Sequence, residues 1–429
     1  MTQTQTEPQT PAPPARDGAR TSAAARGGPA AGPPASAPST SPLRAWLAVI
    51  ALALGTFSFV TTETLPIGLL PSIGAGVDVS VGTAGFLVTG FAAVAAITAA
   101  PLTTLCGRID RKWLLAALLV IYVAGNLLAT IASSYATLLG ARILVALAHG
   151  VFWSIAAAIA VRLVPERHAV RATALVLGGI SLASVLGVPL GTMIGQNSGW
   201  HTAFAAVAAI GFVVLVAVLF LLPSLPAQGS GSLGALPRVL RNGRLRTAVA
   251  VTALVMIGHF LAFTYIAPYL QEITGISGGM VGVLLLVFGA AGFIGNFVAG
   301  AVVGRSVRGT LLGALILMTG SLALLWVFGD SQAAAITLLV LWGLAFAALP
   351  VGLQTWVLQL AKEESDAASS LYVAAFNGAI AVGSLVGGLL VDSAAGPRAV
   401  TGVAAVLTAC ALLTLVLSGR GSSRTVKSA

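Results

Sequence analysis

The same loop occurs twice in this 429-residue chain, as GRIDR at residues 107–111 and as GRSVR at residues 304–308. The two copies lie 197 residues apart, and the same offset pairs Pro71 with Pro268. A similarity that recurs at a fixed offset indicates an internal structural repeat. Because a long apolar stretch stands on each side of both loops, the sequence predicts two equivalent groups of apolar segments.

The composition of the chain is typical of a membrane protein. Hydrophobic residues make up 57% of it and charged residues only 8%, whereas a soluble globular protein has about 25% charged residues. A helix needs about 20 apolar residues to cross a bilayer. We therefore predict an all-α membrane protein with twelve transmembrane helices in two six-helix halves. The predicted spans, numbered 1 to 12, are 45–70, 82–106, 113–132, 136–162, 170–195, 202–222, 247–270, 280–304, 310–328, 332–360, 368–391 and 398–418.

The segments outside the spans divide the chain further. Residues 1–43 hold nine of the 20 prolines and few bulky apolar side chains, a composition typical of a disordered tail. Residues 44–222 and 247–419 are the two predicted six-helix bundles. Between them, residues 223–246 form a predicted linker rich in proline, glycine and arginine, and residues 420–429 form a second tail.

The positions of the positive charges predict the orientation in the membrane. Of the 22 lysines and arginines, 20 fall in the tails, the linker or alternate loops, and only Arg142 and Arg398 fall elsewhere. Positive charge marks the cytoplasmic loops of membrane proteins. We therefore predict a multi-pass monomer in the lipid bilayer of the cell (inner) membrane, with both termini and the linker in the cytoplasm. The net charge of +10 then reflects topology, and no nucleic acid partner is expected.

The sequence lacks the motifs of enzymes and of ATP-driven pumps. It contains no phosphate-binding G-x-x-x-x-G-K-[ST] loop. Its two cysteines, Cys106 and Cys410, have no spacing that suits a metal site. No nucleophile with a neighbouring base is apparent. We therefore predict that the protein is not an enzyme and that it uses neither a metal nor a cofactor.

Charged residues inside the spans are the first functional candidates, because a charge within the membrane is costly. Glu63 is the only carboxylate well inside a predicted span, and Arg142 lies inside span 4. At about 1.5 Å per residue the two have a similar depth. We hypothesise that they face each other and that Glu63 exchanges a proton whose binding Arg142 adjusts. The alternatives are a Glu63 at the outer interface and a purely structural pair.

Other polar residues of the spans complete the predicted site. Arg142, His149 and Trp153 lie at i, i+7 and i+11 on one side of span 4. His149 is interpreted as a third proton-coupling residue, because histidine titrates near neutral pH; packing is the alternative. The remaining polar candidates need hydrogen-bond partners inside the membrane, and either a hydroxyl-rich ligand or a neighbouring helix would supply them. The predicted substrate-binding residues are Trp153, His259, Tyr265, Gln354 and Asn377. Phe152 and Phe260 are interpreted as packing residues.

The two repeated loops are predicted to act in gating. Their basic residues stand at helix ends on the cytoplasmic side, where they complement other loops and helix carbonyl groups. The candidates are Arg108, Asp110, Arg111, Arg305 and Arg308. A latch on the closed gate is one interpretation, and charge that only sets the topology is the other.

Several short stretches are characteristic in combination: TTE at 61–63, AHGVFWSI at 148–155, LGVPLG at 186–191 and FN at 376–377. With them, the chain from about residue 44 to 420 resembles the twelve-span drug:proton antiporter branch of the major facilitator superfamily. It most closely resembles bacterial sugar efflux transporters of the arabinose and isopropyl-thiogalactoside type. The resemblance implies proton-coupled efflux of a sugar or another small organic molecule that binds between the two halves.

Two motifs depart from the pattern of that family. In the loop after span 2, Gly107 stands where the family has Asp and Asp110 stands where it has Gly. In span 5, Thr192 and Gln196 replace Pro and Gly. The motif in span 5 still favours export over import. Its retained glycines are Gly178, Gly187, Gly191 and Gly195.

The sequence thus favours a proton-coupled secondary transporter that exports a sugar or a similar small polar organic molecule by alternating access. A multidrug or amphenicol-type efflux antiporter of the same fold is the alternative. Two further classes are a facilitative channel, which would show no proton coupling, and a non-transporting sensor, which would show no flux.

Overall fold

The computed structural model is built almost entirely of helices. Within the described residues, twelve helical stretches are long and apolar enough to cross a membrane, which confirms the predicted number of spans. Much of the predicted tail over 1–43, part of the predicted linker with Arg238, Lys362 and the predicted tail from 421 lie outside the described residues. The described residues are Thr2, 41–227, 241–361 and 365–420.

The described part of the amino-terminal half contains eight α-helices, two of which, α6 and α7, together form span 5. They are α1 (Pro42–Thr64), α2 (Leu70–Gly76), α3 (Val81–Leu105), α4 (Arg111–Thr130), α5 (Tyr135–Leu163), α6 (Ala169–Leu182), α7 (Val188–Ser198) and α8 (Trp200–Leu221). The described part of the carboxy-terminal half contains seven. They are α9 (Gly243–Phe263), α10 (Ile266–Glu272), α11 (Gly278–Val303), α12 (Val307–Phe328), α13 (Gln332–Leu360), α14 (Ser365–Val391) and α15 (Gly396–Arg420).

The repeat seen in the loops extends to the helices. Helices α5 and α13 both have 29 residues, and their first and last residues are separated by the same offset of 197 positions as the loops. Ser134 caps the start of α5 with a hydrogen bond from the Thr137 N–H, and Ser331 caps α13 in the same way with Ala334. A serine oxygen at this position accepts a bond from an otherwise unpaired N–H of the first turn. The two halves therefore share helix lengths and starting signals.

The first span loses its α-helical geometry near its end. Helix α1 stops at Thr64, and a 3₁₀ turn follows over Leu65–Gly68. The cause is Pro66, which has no N–H to donate and whose ring crowds the preceding turn. The carbonyl of Thr62, four residues earlier, is left without its helical donor. This free carbonyl lies next to Glu63.

Span 5 is also irregular. A π-helical turn at Ala183–Gly187 separates α6 from α7. Gly187 lies directly against Thr61 of α1, and a side chain there would collide with the threonine hydroxyl. Spans 5 and 1 therefore approach each other closely at Gly187.

The two halves are joined on the side of the molecule opposite the end of α8 and the start of α9, which we call the far side. Asp392 at the end of α14 accepts hydrogen bonds from the Ser80 hydroxyl at 2.5 Å and from the Gly82 N–H at 2.9 Å. Both donors stand at the start of α3, in the other half. Deeper in the molecule, Gly289 of α11 lies so close to the backbone of Ser184 that a Cβ would not fit. Helices of the two halves thus meet along the far half of the molecule.

Candidate functional site

Arg142 on α5 is buried, with 1% of its surface exposed. Its Nη1 donates to the backbone carbonyl of Thr62 at 2.5 Å, and its Nη2 donates to the backbone carbonyl of Glu63 at 2.8 Å. The first of these is the carbonyl that Pro66 leaves without a helical donor. The described hydrogen bonds of the guanidinium to Glu63 thus reach its backbone and not its carboxylate, and the role of the pair in proton exchange stays a prediction.

A buried hydrogen-bond network surrounds this contact. The Thr62 hydroxyl donates to Asn126 Oδ1 at 2.7 Å. The Tyr122 hydroxyl donates to the Ser58 carbonyl at 2.9 Å and lies 2.7 Å from the Ser58 hydroxyl. Buried polar groups need such partners, because leaving one unpaired costs about 1–3 kcal/mol. The network fixes α1 against α4 and α5 at the level of Glu63.

The Glu63 carboxylate has His149 as its ionisable neighbour. Glu63 Oε2 lies 3.6 Å from His149 Nε2, and 14% of the Glu63 side chain is exposed against 5% of the histidine. The same Nε2 accepts a hydrogen bond from the Trp153 indole Nε1–H at 2.8 Å. The structure thus brings together Glu63, Arg142, His149 and Trp153, the four proton-coupling and substrate-binding residues predicted in the amino-terminal half.

Aromatic rings form the wall of this polar site. The Arg142 guanidinium lies 4.4 Å from the centre of the Phe91 ring, within the range of a cation–π contact. Phe91 and Phe59 both contact the His149 ring at their edges, with centroids 5.1 and 5.8 Å away. Phe91 and Phe59 were not among the predicted site residues, since an aromatic ring carries no pattern that separates this role from packing.

The predicted substrate-binding residues of the other half do not all come together. His259 on α9 is 1% exposed and is surrounded by rings. Its neighbours Phe263, Phe288 and Phe346 lie with centroids 5.0, 6.5 and 3.3 Å away, all nearly parallel to the imidazole. The edges of Phe260 and Trp342 complete the group at 4.9 and 5.4 Å. We call His259 with these five rings the aromatic cluster.

Tyr265, Gln354 and Asn377 lie outside this group of rings. Tyr265 is buried, donates to the Ser384 carbonyl at 2.8 Å, and lies against Gly85 of the other half. The geometry thus connects Tyr265 with the far-side contact between the halves. Gln354 is exposed, and the Asn377 amide donates to a carbonyl of its own helix at 3.0 Å. Their role in substrate binding stays a prediction.

The first repeated loop is bound to its own half. Asp110 caps α4 by accepting the Lys112 N–H at 2.9 Å, and it accepts the Ser224 hydroxyl at 2.6 Å. The Arg111 N–H donates to the Leu225 carbonyl at 2.9 Å. Asp110 therefore fixes the loop to the segment that follows α8.

The second loop makes a comparable contact. Arg308 Nη2 donates to the carbonyls of Leu415 and Val416, at 3.1 and 2.9 Å, near the end of α15. A cation at this place is favourable, because the carbonyl groups at a helix end carry partial negative charge. Arg108 and Arg305 are exposed. A latch across the halves stays a prediction.

A family model described as Major Facilitator Superfamily matches residues 52–365 and 248–428. A bacterial homologue of the human lysosomal transporter Spinster, crystallised inward-facing and unoccupied, has a TM-score of 0.70 and 16% identity over 89% of this chain and 98% of that one. A variant of the nucleoside transporter NupG has a TM-score of 0.71 and 13% identity over 87% and 99%. The xylose transporter XylE from E. coli, partially occluded and inward open, has a TM-score of 0.68 and 15% identity over 86% and 97%. Likeness at this identity concerns the fold, and it agrees with the family match. The chain belongs to the major facilitator superfamily, and this membership indicates a transporter and not an enzyme.

Proposed function

We propose that the protein is a proton-coupled secondary transporter that exports a small polar organic molecule by alternating access. The observation that carries this proposal is the Glu63 carboxylate placed 3.6 Å from His149 Nε2 inside the amino-terminal half. Ionisable residues within membrane spans mark proton and substrate pathways by default. The proposed proton carrier is Glu63, with His149 as its partner and Arg142 as the group that positions it.

Arg142 supports this role by holding the backbone on which Glu63 stands. Because the guanidinium donates to the carbonyls of Thr62 and Glu63, it fixes the end of α1 without neutralising the carboxylate through a hydrogen bond. The carboxylate then stays available for a proton. The positive charge nearby also stabilises the ionised form of Glu63 once the proton has left.

His149 Nε2 connects proton binding to Trp153. In a neutral imidazole only the unprotonated ring nitrogen has a lone pair that can accept a hydrogen bond. In His149 this is Nε2, and it accepts the Trp153 N–H at 2.8 Å. A proton shared between Glu63 and His149 needs the same lone pair, so it displaces the indole N–H. Trp153 is only partly buried, and the freed N–H is then available to a substrate. This exchange couples the proton site to the substrate site.

The proposed orientation and direction follow from charge and from the resemblance to exporters. Positive residues concentrate in the tails, the linker and alternate loops, which supports an orientation with those loops and both termini on the cytoplasmic side of the inner membrane. The bonds of Asp392 to Ser80 and Gly82 then close the outer side. The glycine motif of span 5 favours export over import.

A sugar of the arabinose or thiogalactoside type is the first proposed substrate class, on the strength of the resemblance. An amphenicol-type or other drug is the second candidate, and a specific observation favours it. The aromatic cluster around His259 offers ring faces that suit an unsaturated or partly apolar molecule.

The proposal is tested in proteoliposomes that contain the full chain. Labelled arabinose, isopropyl thiogalactoside and chloramphenicol serve as probes, with and without a pH gradient. Glu63→Gln should abolish accumulation driven by the gradient and leave counterflow, because exchange of substrate for substrate needs no net proton movement. Glu272→Gln, a change at an exposed carboxylate, is the matched control and should behave as wild type. Gradient-driven accumulation by Glu63→Gln equal to that of wild type would contradict the proposal. Wild-type transport at the same rate with and without the pH gradient would contradict it as well.

A further inference from the structure

The aromatic cluster contains two buried nitrogen atoms that have no hydrogen-bond partner among the described residues. They are His259 Nδ1 and Trp342 Nε1, and the two residues are 1% and 0% exposed. Most buried polar side-chain atoms have a partner, so each exception requires an explanation. Other buried atoms, such as His149 Nδ1, also lack one, but these two lie in neighbouring rings with centroids 5.4 Å apart, which points to one common cause.

Packing alone does not require these two residues. With the repeat offset of 197, His259 corresponds to Thr62 and Trp342 corresponds to Val145. Thr62 donates its hydroxyl to Asn126, and Val145 has no polar side-chain atom. In the amino-terminal half, the two equivalent positions are therefore occupied by side chains that leave no nitrogen unpaired.

The cluster also contains a slot with the width of a flat ring. The His259 imidazole lies between Phe346, whose ring is parallel to it within 3° at 3.3 Å, and Phe263, within 20° at 5.0 Å. Face-to-face stacking is less favourable than offset or edge contacts. With Nδ1 unpaired, the imidazole is held in the slot by packing and by no hydrogen bond among the described residues.

The slot lies near the middle of the membrane and next to the other half. Phe288 and Trp342 are each ten residues from the far-side ends of α11 and α13, or about 15 Å, half of a bilayer core of about 30 Å. Phe288 precedes Gly289, whose backbone contacts Ser184 of the other half. In transporters built from two repeats, substrates bind near this depth and at this interface.

We propose that the aromatic cluster is a ligand subsite for a flat unsaturated ring that bears a hydrogen-bond acceptor, an inference that rests on the transport function proposed above. The ring of the ligand enters between Phe263 and Phe346 as the imidazole moves aside. Its acceptor, such as a carbonyl, nitro or ether oxygen, takes the Trp342 N–H, and His259 pairs with a polar substituent. Among the substrate classes proposed above, the subsite therefore favours molecules that combine an aromatic ring with polar groups, and a plain sugar leaves it unfilled.

Binding of matched glycoside pairs to the purified full chain tests this subsite. The probes are the 4-nitrophenyl and the methyl glycosides of galactose, glucose and arabinose, measured by isothermal titration calorimetry without any ion gradient. At least one 4-nitrophenyl glycoside should bind with a Kd at least tenfold lower than that of its methyl counterpart. Equal Kd values within every pair, or no binding of any 4-nitrophenyl glycoside, would overturn the proposal.

Two variants localise the effect. Trp342→Phe keeps an aromatic ring, although a smaller one, and removes the N–H. It should weaken binding of the 4-nitrophenyl probe about fivefold, which corresponds to the loss of about one hydrogen bond. Binding of the methyl probe should stay unchanged. Phe346→Leu removes one wall and should abolish the preference. Phe293→Leu, at a ring 47% exposed on α11, is the control and should retain it. A preference unchanged in Trp342→Phe and Phe346→Leu would place the ring elsewhere and reject the subsite.

Failure of this inference and failure of the proposed function give different results. Binding without a gradient does not depend on proton coupling, so a loss of coupling leaves the glycoside preference in place. A chain that transports plain sugars against a pH gradient and shows no preference for aromatic glycosides would retain the proposed function and lose the subsite. The more conservative Trp342→Phe decides the outcome if Phe346→Leu does not fold, as judged by thermal unfolding.

Discussion

The two halves of the molecule place different chemistry at equivalent positions. In the amino-terminal half these positions hold ionisable side chains in a hydrogen-bonded network, and in the carboxy-terminal half they hold apolar side chains, most of them aromatic. The equivalent pairs are Glu63 and Phe260, His149 and Phe346, and Arg142 and Leu339. One backbone arrangement thus supports a group of ionisable side chains in one half and a group of aromatic side chains in the other.

The difference follows from what each side chain demands of its surroundings. A buried arginine needs acceptors, which α1 supplies because Pro66 frees the Thr62 carbonyl. A buried leucine needs only apolar neighbours, so Leu339 requires no carbonyl acceptor from α9, although span 7 is also interrupted, between α9 and α10. The buried arginine and the polar network around it are therefore particular to the amino-terminal half, and exchanging residues between equivalent positions tests what they contribute.

The largest effect is expected for Arg142→Leu, which places in the amino-terminal half the leucine found at the equivalent position, 339, of the carboxy-terminal half. The carbonyls of Thr62 and Glu63 would lose buried charged donors, so the free energy of unfolding should fall by about 2–4 kcal/mol. The measurement is thermal unfolding of the purified protein in detergent. Leu339→Met in the other half is the matched control and should cost less than about 1.5 kcal/mol. Equal stability of Arg142→Leu and wild type would mean that the guanidinium does not hold α1.

The second exchange is His149→Phe, which places in the amino-terminal half the side-chain type of the equivalent residue Phe346. We expect the fold to persist, because a ring occupies the equivalent position at Phe346 and because Phe59 and Phe91 already pack against the imidazole. Glu63 would lose its ionisable partner, and substrate accumulation driven by a pH gradient should fall at least tenfold. Proteoliposome uptake measures the change, with counterflow as the internal control. Full gradient-driven uptake would show that the pair of Glu63 and His149 carries no proton.

Asp392→Asn changes the contact that presses the two halves together. The variant keeps the size of the side chain but replaces the carboxylate, whose two oxygens accept hydrogen bonds from Ser80 and Gly82, by an uncharged amide. Because Asp392 is exposed, the contact is worth a modest amount, and the far-side-open population should rise about threefold to tenfold. Spin labels at cysteines introduced at Ala75 and Ala395, one in each half, report the distance by pulsed electron resonance. An unchanged distance distribution would show that other contacts alone close this side.

The smallest expected effect is spectroscopic and concerns Trp153. If a proton on Glu63 or His149 displaces the indole N–H, the Trp153 indole ¹H–¹⁵N resonance should move when the pH is lowered from 8 to 5. Trp153→Phe assigns the resonance, and Glu63→Gln should hold it still. Movement of the resonance in Glu63→Gln equal to that in wild type would assign the titration to another group. The carboxy-terminal half offers the contrast, since Trp342 packs against the rings of His259, Phe263 and Phe288.

Much of the fold follows from the sequence. Apolar runs of bilayer length predict all twelve spans, and the repeat offset of 197 agrees with the bounds of α5 and α13. The interruption of the first span at Pro66 is readable from the chain as well, because proline lacks the donor that the helix needs. The scarcity of charge directs attention to Glu63 and Arg142, which the structure brings together.

The partners of these residues depend on the tertiary structure. Spacing places Arg142 and His149 on one side of α5, but only the packing of α1 against α5 determines that the guanidinium binds backbone carbonyls and that the carboxylate neighbours His149. The aromatic cluster is a stronger case, because its six rings come from α9, α11 and α13 and phenylalanine, which supplies four of them, is common in apolar helices. Hydrophobic periodicity indicates which residues avoid water. It carries no information on which buried atoms remain unpaired, since that depends on side chains from helices far apart in the chain.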